Sequence, residues 1–482
     1  MSDTNRVALG VIEEVTPGTT PATPAFESLR ITGAPSLAFA PTTVSSDEIR
    51  PDRNITDLIL TDAEAAGEVT MELSHGAEDT LLEGAMFSEW VLRNNRQGTD
   101  ITDISTNVIT VASAAVWAVD DLVYLEGFGD ANDEIVFPAI VTSNATTITA
   151  ASGLTDNASP AATAKIWNVG VQGAAGDIDS TVTPDTLTST ILDFTTLGLL
   201  VGDWMKIGGT LAANQLPTLV NNDWVRISAI AANVLTFDIV PTGWAADAST
   251  TELVWLFFGD RLRNGVLKQS YSLEEQFQDH TPITYQYYTG MHMDTFNIGL
   301  PSAAIMTVSA NFQGFASTVV NTRFAGATDV AAPDNDVYNT SSNVGRIGRG
   351  TDGPFTTLDG CVLDATINLS NNLRRQLCIG TLGAIGVGAG SFVVTGNTNT
   401  YFENKNYLED VLNNVERSLD VRMEDSNGKV MLFDMPRLKY SEGSPTVPGG
   451  NQDVLINLNF QSLLESANEL YTLQIQRFHK VQ

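Results

Sequence analysis

Two stretches near the middle of the chain repeat one another. One reads Ala118-Val119-Asp120-Asp121-Leu122-Val123-Tyr124-Leu125-Glu126-Gly127, the other Leu200-Val201-Gly202-Asp203-Trp204-Met205-Lys206-Ile207-Gly208-Gly209. Each follows an apolar, strand-like run (108–112 and 191–194). Each then leads through a second apolar run (137–144 and 225–233) and an Asn turn to Thr147-Ile148-Thr149 or Leu235-Thr236-Phe237. Apolar alternation punctuated by turn residues is the mark of short β-strands. The recurrence of Asp121 at Asp203, 82 residues on, predicts two small β-modules in tandem, at 97–174 and 175–258. They interrupt a second β-rich chain that occupies 1–96 and 259–482.

At 482 residues the chain is long enough for several domains. An apolar content of 43% suits a folded protein rather than a disordered one. The formal charge is −32, from 57 acids and 25 bases, so a groove that neutralises nucleic-acid phosphate is disfavoured. Residues 97–258 hold 18 of the acids and only Lys165, Lys206 and Arg226 as bases. An acidic insert of this density reads as a solvated outer decoration whose ends, near Arg96 and Gly259, lie close together. Its Asp130-Ala131-Asn132-Asp133-Glu134 run lacks the ligand spacing of an EF-hand, so calcium is the less favoured reading. With two cysteines, Cys361 and Cys378, there is no disulfide framework, and both thiols are expected to be free and buried. The N-terminus carries no apolar signal core and the chain no membrane-spanning run, which points to synthesis in a reducing cytoplasm.

Outside the insert, the first half reads as a strand at 7–15 and a Pro/Thr run at 16–24 that cannot join a central strand. Strands at 29–32 and 36–39, a long polar segment at 42–66, a strand at 67–74 and a helix at 77–91 follow. Further strands are predicted within 265–277 and 283–315. The second half repeats the order: a strand at 361–369, a long uncharged segment, a strand at 399–402, and a helix at 406–414 with Leu408, Val411 and Leu412 on one face. Strands at 418–423, 429–435, 454–460 and 471–478 complete it. The fold class is therefore mainly β. It comprises two β-sandwich folds, each with one α-helix, plus the two inserted barrel-like modules. The first sandwich takes 1–96 with 259–317 and the second 318–482.

Several of these segments, in this order, resemble the tail tube (major tail) proteins of long-tailed, siphovirus-type bacteriophages. The resemblance is carried by Glu14-Val15-Thr16-Pro17-Gly18-Thr19-Thr20-Pro21-Ala22, by 29–32, by Ser45-Ser46-Asp47-Glu48-Ile49-Arg50-Pro51-Asp52-Arg53, by 67–74, and by Asp79-Thr80-Leu81-Leu82-Glu83. It continues in Ser272-Leu273-Glu274-Glu275-Gln276-Phe277, Tyr288-Thr289-Gly290, Pro436-Arg437-Leu438-Lys439-Tyr440, Pro448-Gly449-Gly450-Asn451-Gln452-Asp453-Val454 and Tyr471-Thr472-Leu473-Gln474-Ile475. Residues 97–258 fall outside it. The resemblance implies a structural virion subunit whose rings stack into a hollow tube, the conduit for DNA passing from capsid to host. It implies partners in other copies of the chain, three to a pseudo-hexameric ring or else six. A tape measure protein, tail terminator and distal tail proteins are further implied partners, with no cofactor and no metal. By that analogy 42–66 and 376–395 are the two loops that reach the next ring, and 1–28 is an inter-ring arm. The candidate inter-ring contacts are Asp47, Glu48, Arg50, Asp52, Arg53 and Asp57. An acidic wall also suits passage of DNA without capture.

Enzymatic readings find little support. His75, His280, His292 and His479 are scattered, and none pairs with Cys or carboxylate at metal-ligand spacing. His280, beside Asp279 and near Glu275, reads as part of a polar turn. Gly386-Val387-Gly388-Ala389-Gly390 leads into a strand, not a helix, so it cannot cradle phosphate at a helix N-terminus. Asp120-Asp121 reads as a turn because its repeat partner is Gly202-Asp203. The alternative function is host-surface or carbohydrate binding by the insert, through exposed Trp117, Trp204, Trp224 and Trp244; core packing is the competing role for these rings.

Overall fold

The computed structural model describes residues 3–113, 117–139, 146–350, 356–357, 361–403, 405–465 and 470–481. Outside the insert the longer strands are β1 (Val7–Glu13), β2 (Ala38–Ser45), β3 (Leu58–Glu72), β4 (Tyr271–Phe277), β5 (Thr284–Leu300), β6 (Thr307–Gly314) and β7 (Ala316–Val320). After these come β8 (Val344–Gly350), β9 (Val362–Ser370), β10 (Val393–Tyr401), β11 (Glu416–Glu424), β12 (Val430–Thr446), β13 (Leu455–Ser462) and β14 (Gln474–Phe478). The helices are α1 (Asp79–Met86), after β3, and α2 (Asn406–Leu412), after β10. The chain is mainly β, as the sequence predicts.

Eight of these strands form one continuous antiparallel sheet in the order β2–β3–β6–β5–β9–β10–β13–β12. Pairing repeats along it. β2, β3, β6 and β5 are joined in the same way as β9, β10, β13 and β12, and each set has its helix after its second strand. Even the irregularities recur: the β5–β6 ladder slips between Met293 and Thr295, the β12–β13 ladder between Tyr440 and Glu442. The first halves of β5 and β12 leave the eight-stranded sheet and pair outward, β5 with β4 and β7, β12 with β11 and β14. β1 then extends β4, and β8 extends β11. The alternation of the strands packs Val69, Met71, Val308, Phe312, Phe296, Ile298, Ile367, Leu369, Leu458 and Phe460 into one core with α1 and the outward strands.

The insert repeat is local geometry as well as sequence. Asp121 accepts the N–H of Ala118 at 2.7 Å, and Asp203 accepts that of Leu200 at 2.9 Å. The preceding residues, Asp120 (φ 71°) and Gly202 (φ 89°), both lie in the left-handed region. Each exchanges matching backbone bonds with the next strand, through Ala139 and Ile227. Both aspartates are therefore turn residues. Of the run at 137–144, residues 140–144 lie outside the described residues. The ends of the insert do meet: Val91 bridges Arg261, and Arg93 donates to the Gly259 carbonyl at 3.0 Å.

The insert packs against the second half of the chain. Lys165–Gln172 of the first module pairs with Trp255–Phe257 of the second, so their strands form one sheet. The outer face of that sheet shares a core with β12 and β14: Trp167, Trp204, Trp224 and Phe257 pack with Val430, Leu432 and Phe478. Trp167 stacks on His479 at 3.7 Å, and Trp224 meets Phe478 edge-on at 4.7 Å. Buried polar links cross the same boundary. Arg226 binds Asp434 at 3.1 Å, Arg261 binds Asp203 at 2.6 Å, and Gln476 accepts the Trp204 N–H at 2.7 Å. The sequence does not show this because the partners in these three polar links lie 58 to 272 residues apart.

Other expectations are corrected. Within the Pro/Thr run, residues 16–19 are a compact turn that packs on the body. Thr19 N–H bonds to Thr16 O around Pro17-Gly18, with Gly18 at φ 83° as such a turn requires. The buried Glu14 carboxylate fastens it, accepting from Gly18 N, Ser270 Oγ, Ser272 Oγ and Gly290 N at 2.6–3.2 Å. Residues 29–32 form no strand: they make an isolated bridge, Ile31 to Met71, and single backbone bonds from Leu29 N–H to Leu9 O and Thr32 N–H to Thr70 O. α1 stops at Phe87, which turns left-handed (φ 50°), so Trp90 lies beyond it. In α2 the buried side chains are Tyr407 and Asp410 while Leu412 is exposed; Arg349 and Arg417 draw the Asp410 carboxylate inward. Both cysteines are exposed, Cys361 just before β9 and Cys378 in a hairpin tip.

Candidate assembly interface

β2 and β3 continue as a paired ribbon from Ala38–Ala66 to Ser45–Leu58, whereas the β3–β6 ladder ends at Ala65–Gly314. The ribbon therefore runs roughly 20 Å beyond the sheet at the usual rise per residue. β-branched Thr42, Thr43, Val44 and Ile59 favour the extended backbone. At the tip, Arg53 N–H closes a turn on Arg50 O with Pro51 second in it. The segment predicted as a long loop is thus a hairpin whose only loop is 46–57.

All six candidate contact residues lie exposed on that loop. Arg50 grips Asp52 through two bonds of 3.1 and 3.0 Å and pulls its carboxyl down to about 2. Asp57 caps Leu58 N–H at 2.8 Å, and Asp47, Glu48 and Arg53 face solvent. What the charge pattern did not flag is the apolar surface among them. Ile49 is 99% exposed, Ile55 73% and Leu58 61%. Exposed apolar side chains on a projecting tip are the kind of surface that contacts use; the signal in the sequence is two isoleucines within a charged loop.

The segment 376–395 is likewise a hairpin in part. Arg374–Gln376 pairs with Gly386–Gly388. Arg375 reaches across to Asp62 at 3.0 and 3.1 Å and to Ala63 O at 2.8 Å, bracing the base of the first hairpin. Its far end exposes Leu377 and Ile379. Both hairpins project from the same end of the sheet. At the opposite end, Leu300, Val344, Ile347, Val362, Asp364 and Ala365 line a cavity of about 600 Å³.

The second surface is the uncovered face of the eight-stranded sheet. The alternation that buries one side turns Asn297, Ser309, Asn311, Asn368, Asn397, Asn399, Asn457 and Asn459 to the other. This face also carries Glu64, Glu68, Glu72, Asp364 and Glu442. Its bases among the described residues are Lys439 and, at the end of the sheet, Arg437, and both pair with Glu416, at 3.5 and 2.6 Å. Carboxamides and hydroxyls give it polarity without positive charge.

The enzymatic candidates do not converge. Asp279 binds Arg6 at 3.2 Å and His280 binds Thr284 Oγ1 at 2.8 Å. Glu275 is buried instead against the Tyr288 hydroxyl, and burial raises its carboxyl to about 7. Gly386–Gly388 is a strand, with no helix behind it. The loop carboxylates of Asp130 and Asp133 accept N–H groups of their own module, from Asn132, Asn157, Phe128 and Gly129. Among the described residues no three His, Cys, Asp or Glu side chains are grouped to hold a metal, and no helix is long and apolar enough to cross a membrane. The insert tryptophans offer no exposed stacking platform. Trp117, Trp204 and Trp224 are buried, and Trp244 packs edge-on against Phe237 with its N–H on Thr181 O.

No curated protein matches the chain. The described residues thus form a mainly β body with a projecting hairpin and a polar sheet face whose bases are paired. The model of the phage tail tube protein family matches residues 4–462, and the chain belongs to that family.

Proposed function

We propose that the chain polymerises as stacked rings into the tail tube, and that the uncovered face of the eight-stranded sheet lines the channel. The observation that carries this is the composition of that face. A conduit must let phosphate pass without binding it, and a wall of Asn, Ser and Thr with scattered Glu, whose Lys439 and Arg437 are both paired with Glu416, offers no free counter-charge. The twice-used pairing order supports reading 1–96 with 259–317 and 318–482 as two tube folds in one chain. Three chains would then close a pseudo-sixfold ring. The hairpin tip at one end of the sheet and the apolar-floored cavity at the other suit ring-to-ring stacking, with the tip of one ring entering the end of the next. The modules at 97–174 and 175–258 pack on the outward strands β12 and β14, which places them outside the tube wall in this reading. Tape measure, terminator and distal tail proteins are the partners a tube of this kind requires.

Electron microscopy of purified, concentrated protein tests this. Tubes with a threefold outer decoration are expected. Sixfold decoration would refute the two-fold chain, and protein that forms neither rings nor tubes would refute the function. The host-surface reading has no observation in its favour, since its tryptophans are packed.

A further inference from the structure

Lys429, Asn335 and Glu126 come from three separate parts of the chain and meet at one point. Lys429 lies just before β12, Asn335 in the segment that leads from the first half into β8, and Glu126 at the end of the insert strand Asp121–Glu126. The Lys429 side chain is only 6% exposed and that of Glu126 20%. The Lys429 ammonium donates to Glu126 Oε1 at 2.5 Å and to Asn335 Oδ1 at 2.7 Å. A buried amine thus stands between a carboxamide and a carboxylate. From this juxtaposition we infer that Lys429 and Asn335 condense to an intramolecular isopeptide bond, with Glu126 as the catalytic base and acid.

Each reacting group is held in one orientation. Trp167 Nε1–H donates to Glu126 Oε2 at 3.0 Å, which turns Oε1 to the lysine. Asn335 Nδ2 donates to the His75 carbonyl at 2.6 Å, which leaves Oδ1 facing the lysine. The Asn335 backbone carbonyl is fixed as well, by Arg30 Nη1 at 2.7 Å. Tyr338 donates to the Lys429 carbonyl at 3.4 Å, and it, His75 and Trp167 are buried, so little water reaches the amine. An ion pair alone would need only the carboxylate. The carboxamide, locked by its own two partners, is the part that a salt bridge leaves unexplained.

The chemistry balances without an outside reagent. With a C=O bond of about 1.23 Å, the 2.7 Å contact at Oδ1 puts Lys429 Nζ no more than about 3.9 Å from Asn335 Cγ. Attack needs roughly 3–3.5 Å, so a small turn of the carboxamide suffices. Burial pushes the Glu126 carboxyl up, but Lys429 beside it outweighs burial and holds it low, so the resting state is the ion pair. The reaction starts when the ammonium passes one proton to Glu126 Oε1 and becomes a neutral amine, a transfer that exclusion of water favours. The Nζ lone pair then forms the Nζ–Cγ bond as the carbonyl π pair moves onto Oδ1. Glu126 gives its proton to Nδ2 and takes one from Nζ, the Cγ–Nδ2 bond breaks, the carbonyl re-forms and ammonia leaves. Ammonia removes the proton now on Glu126, so one ammonium ion is released per bond and the carboxylate is restored. The two joined residues are 94 apart. The bond therefore ties the segment between the two halves to the root of β12, at the point where the insert also docks.

Mass spectrometry of the full, denatured chain tests this. The chain should be lighter than its sequence by one ammonia. Trypsin should release residues 324–346 joined to 423–437, uncut after Lys429 because that amine is consumed. Lys429→Arg should restore the full mass. Glu126→Gln keeps the side chain's size and an acceptor for Trp167, and should slow bond formation at least about a hundredfold in protein whose circular dichroism matches the parent. A native chain at its full sequence mass, giving 324–346 and 423–429 as separate peptides, overturns the bond whatever the variants do. Ammonia loss that survives Lys429→Arg would place the loss elsewhere, as in a succinimide at Asn427-Gly428, and overturns it too. Bond formation at the parental rate in Glu126→Gln overturns the role of the carboxylate. The bond lies within one chain, so none of these outcomes depends on whether tubes form.

Discussion

Replacing Ile49 and Ile55 together by Ser should separate folding from polymerisation. In the single chain Ile49 is 99% exposed and Ile55 73%, so neither contributes appreciably to the subunit's core, and the melting temperature of the unassembled protein should stay within a degree or two. Burial of an isoleucine side chain is worth about 1.5–3 kcal/mol. Two of them, with Ile55 already partly covered and contact between rings incomplete, give about 2–4 kcal/mol per subunit. At 1.4 kcal/mol per tenfold, the concentration needed for tubes should rise roughly 30- to 1,000-fold. Sedimentation of assembled against free protein over a concentration series reads this directly, and added salt should not restore or worsen it, since no charge is altered. Tubes at the parental threshold would mean that the tip is not buried between rings, and the stacking role of residues 46–57 would fall with it.

Charge reversal of Arg50 and Arg53 to Glu should also leave the subunit's melting unchanged, because both are exposed, but it should shorten tubes in a salt-dependent way, as light scattering would show. Replacing 97–258 by a Gly/Ser linker uncovers Val430, Leu432 and Phe478 and leaves the buried Asp434 without Arg226; loss of soluble protein is expected, and recovery of folded monomer would refute the shared core. Burial raises the carboxyl of Glu78 to about 8, against a single 3.3 Å bond from Ser74 N–H, with Oε1 unpartnered. The folded state thus holds that proton above the pH at which the unfolded chain releases it. Stability is lost as pH rises from about 4.5 to about 8, and Glu78→Gln should match the parent near pH 5 yet exceed it near pH 9 by a few kcal/mol. Equal melting profiles from pH 5 to 9 would refute it.

The parts of the fold that were legible in the sequence are those whose cause is local. Alternation in 67–74, 362–369 and 455–460 gave strands because each buries one face, and the Asp121/Asp203 repeat gave two turns of matching geometry because the bonds are made within the same few residues. What failed depended on distant partners. Glu14 looks like one more acid in a Pro/Thr arm until Ser270, Ser272 and Gly290 are brought to it. The α2 stripe was misassigned because leucine spacing cannot report that Arg349 and Arg417 converge on Asp410. The hairpin at 42–66 reads as a loop in the sequence because polar ribbon strands lack the alternation that burial imposes.

The insert shows most clearly how composition can mislead. Its excess of acids argues for a solvated module, and its exposed carboxylates are consistent with that. Yet its few cations and its tryptophans sit where the charge count cannot see them. Arg226 is buried between Asp238 and Asp434 and donates to the Tyr471 hydroxyl at 3.1 Å. Trp204 and Trp224 are covered by the guanidinium planes of Arg346 and Arg422 from β8 and β11. A module placed beside the tube fold by chance would need none of these contacts. Their effect is to make β12 and β14, outward strands of the second half, depend on the insert for their cover. The equivalent strands of the first half, β5 and β7, are not covered in this way: Val319 on β7 is 61% exposed. The two halves therefore share a pairing order but differ in outer surface, and a ring of three such chains would alternate between a bare and a covered position around its wall.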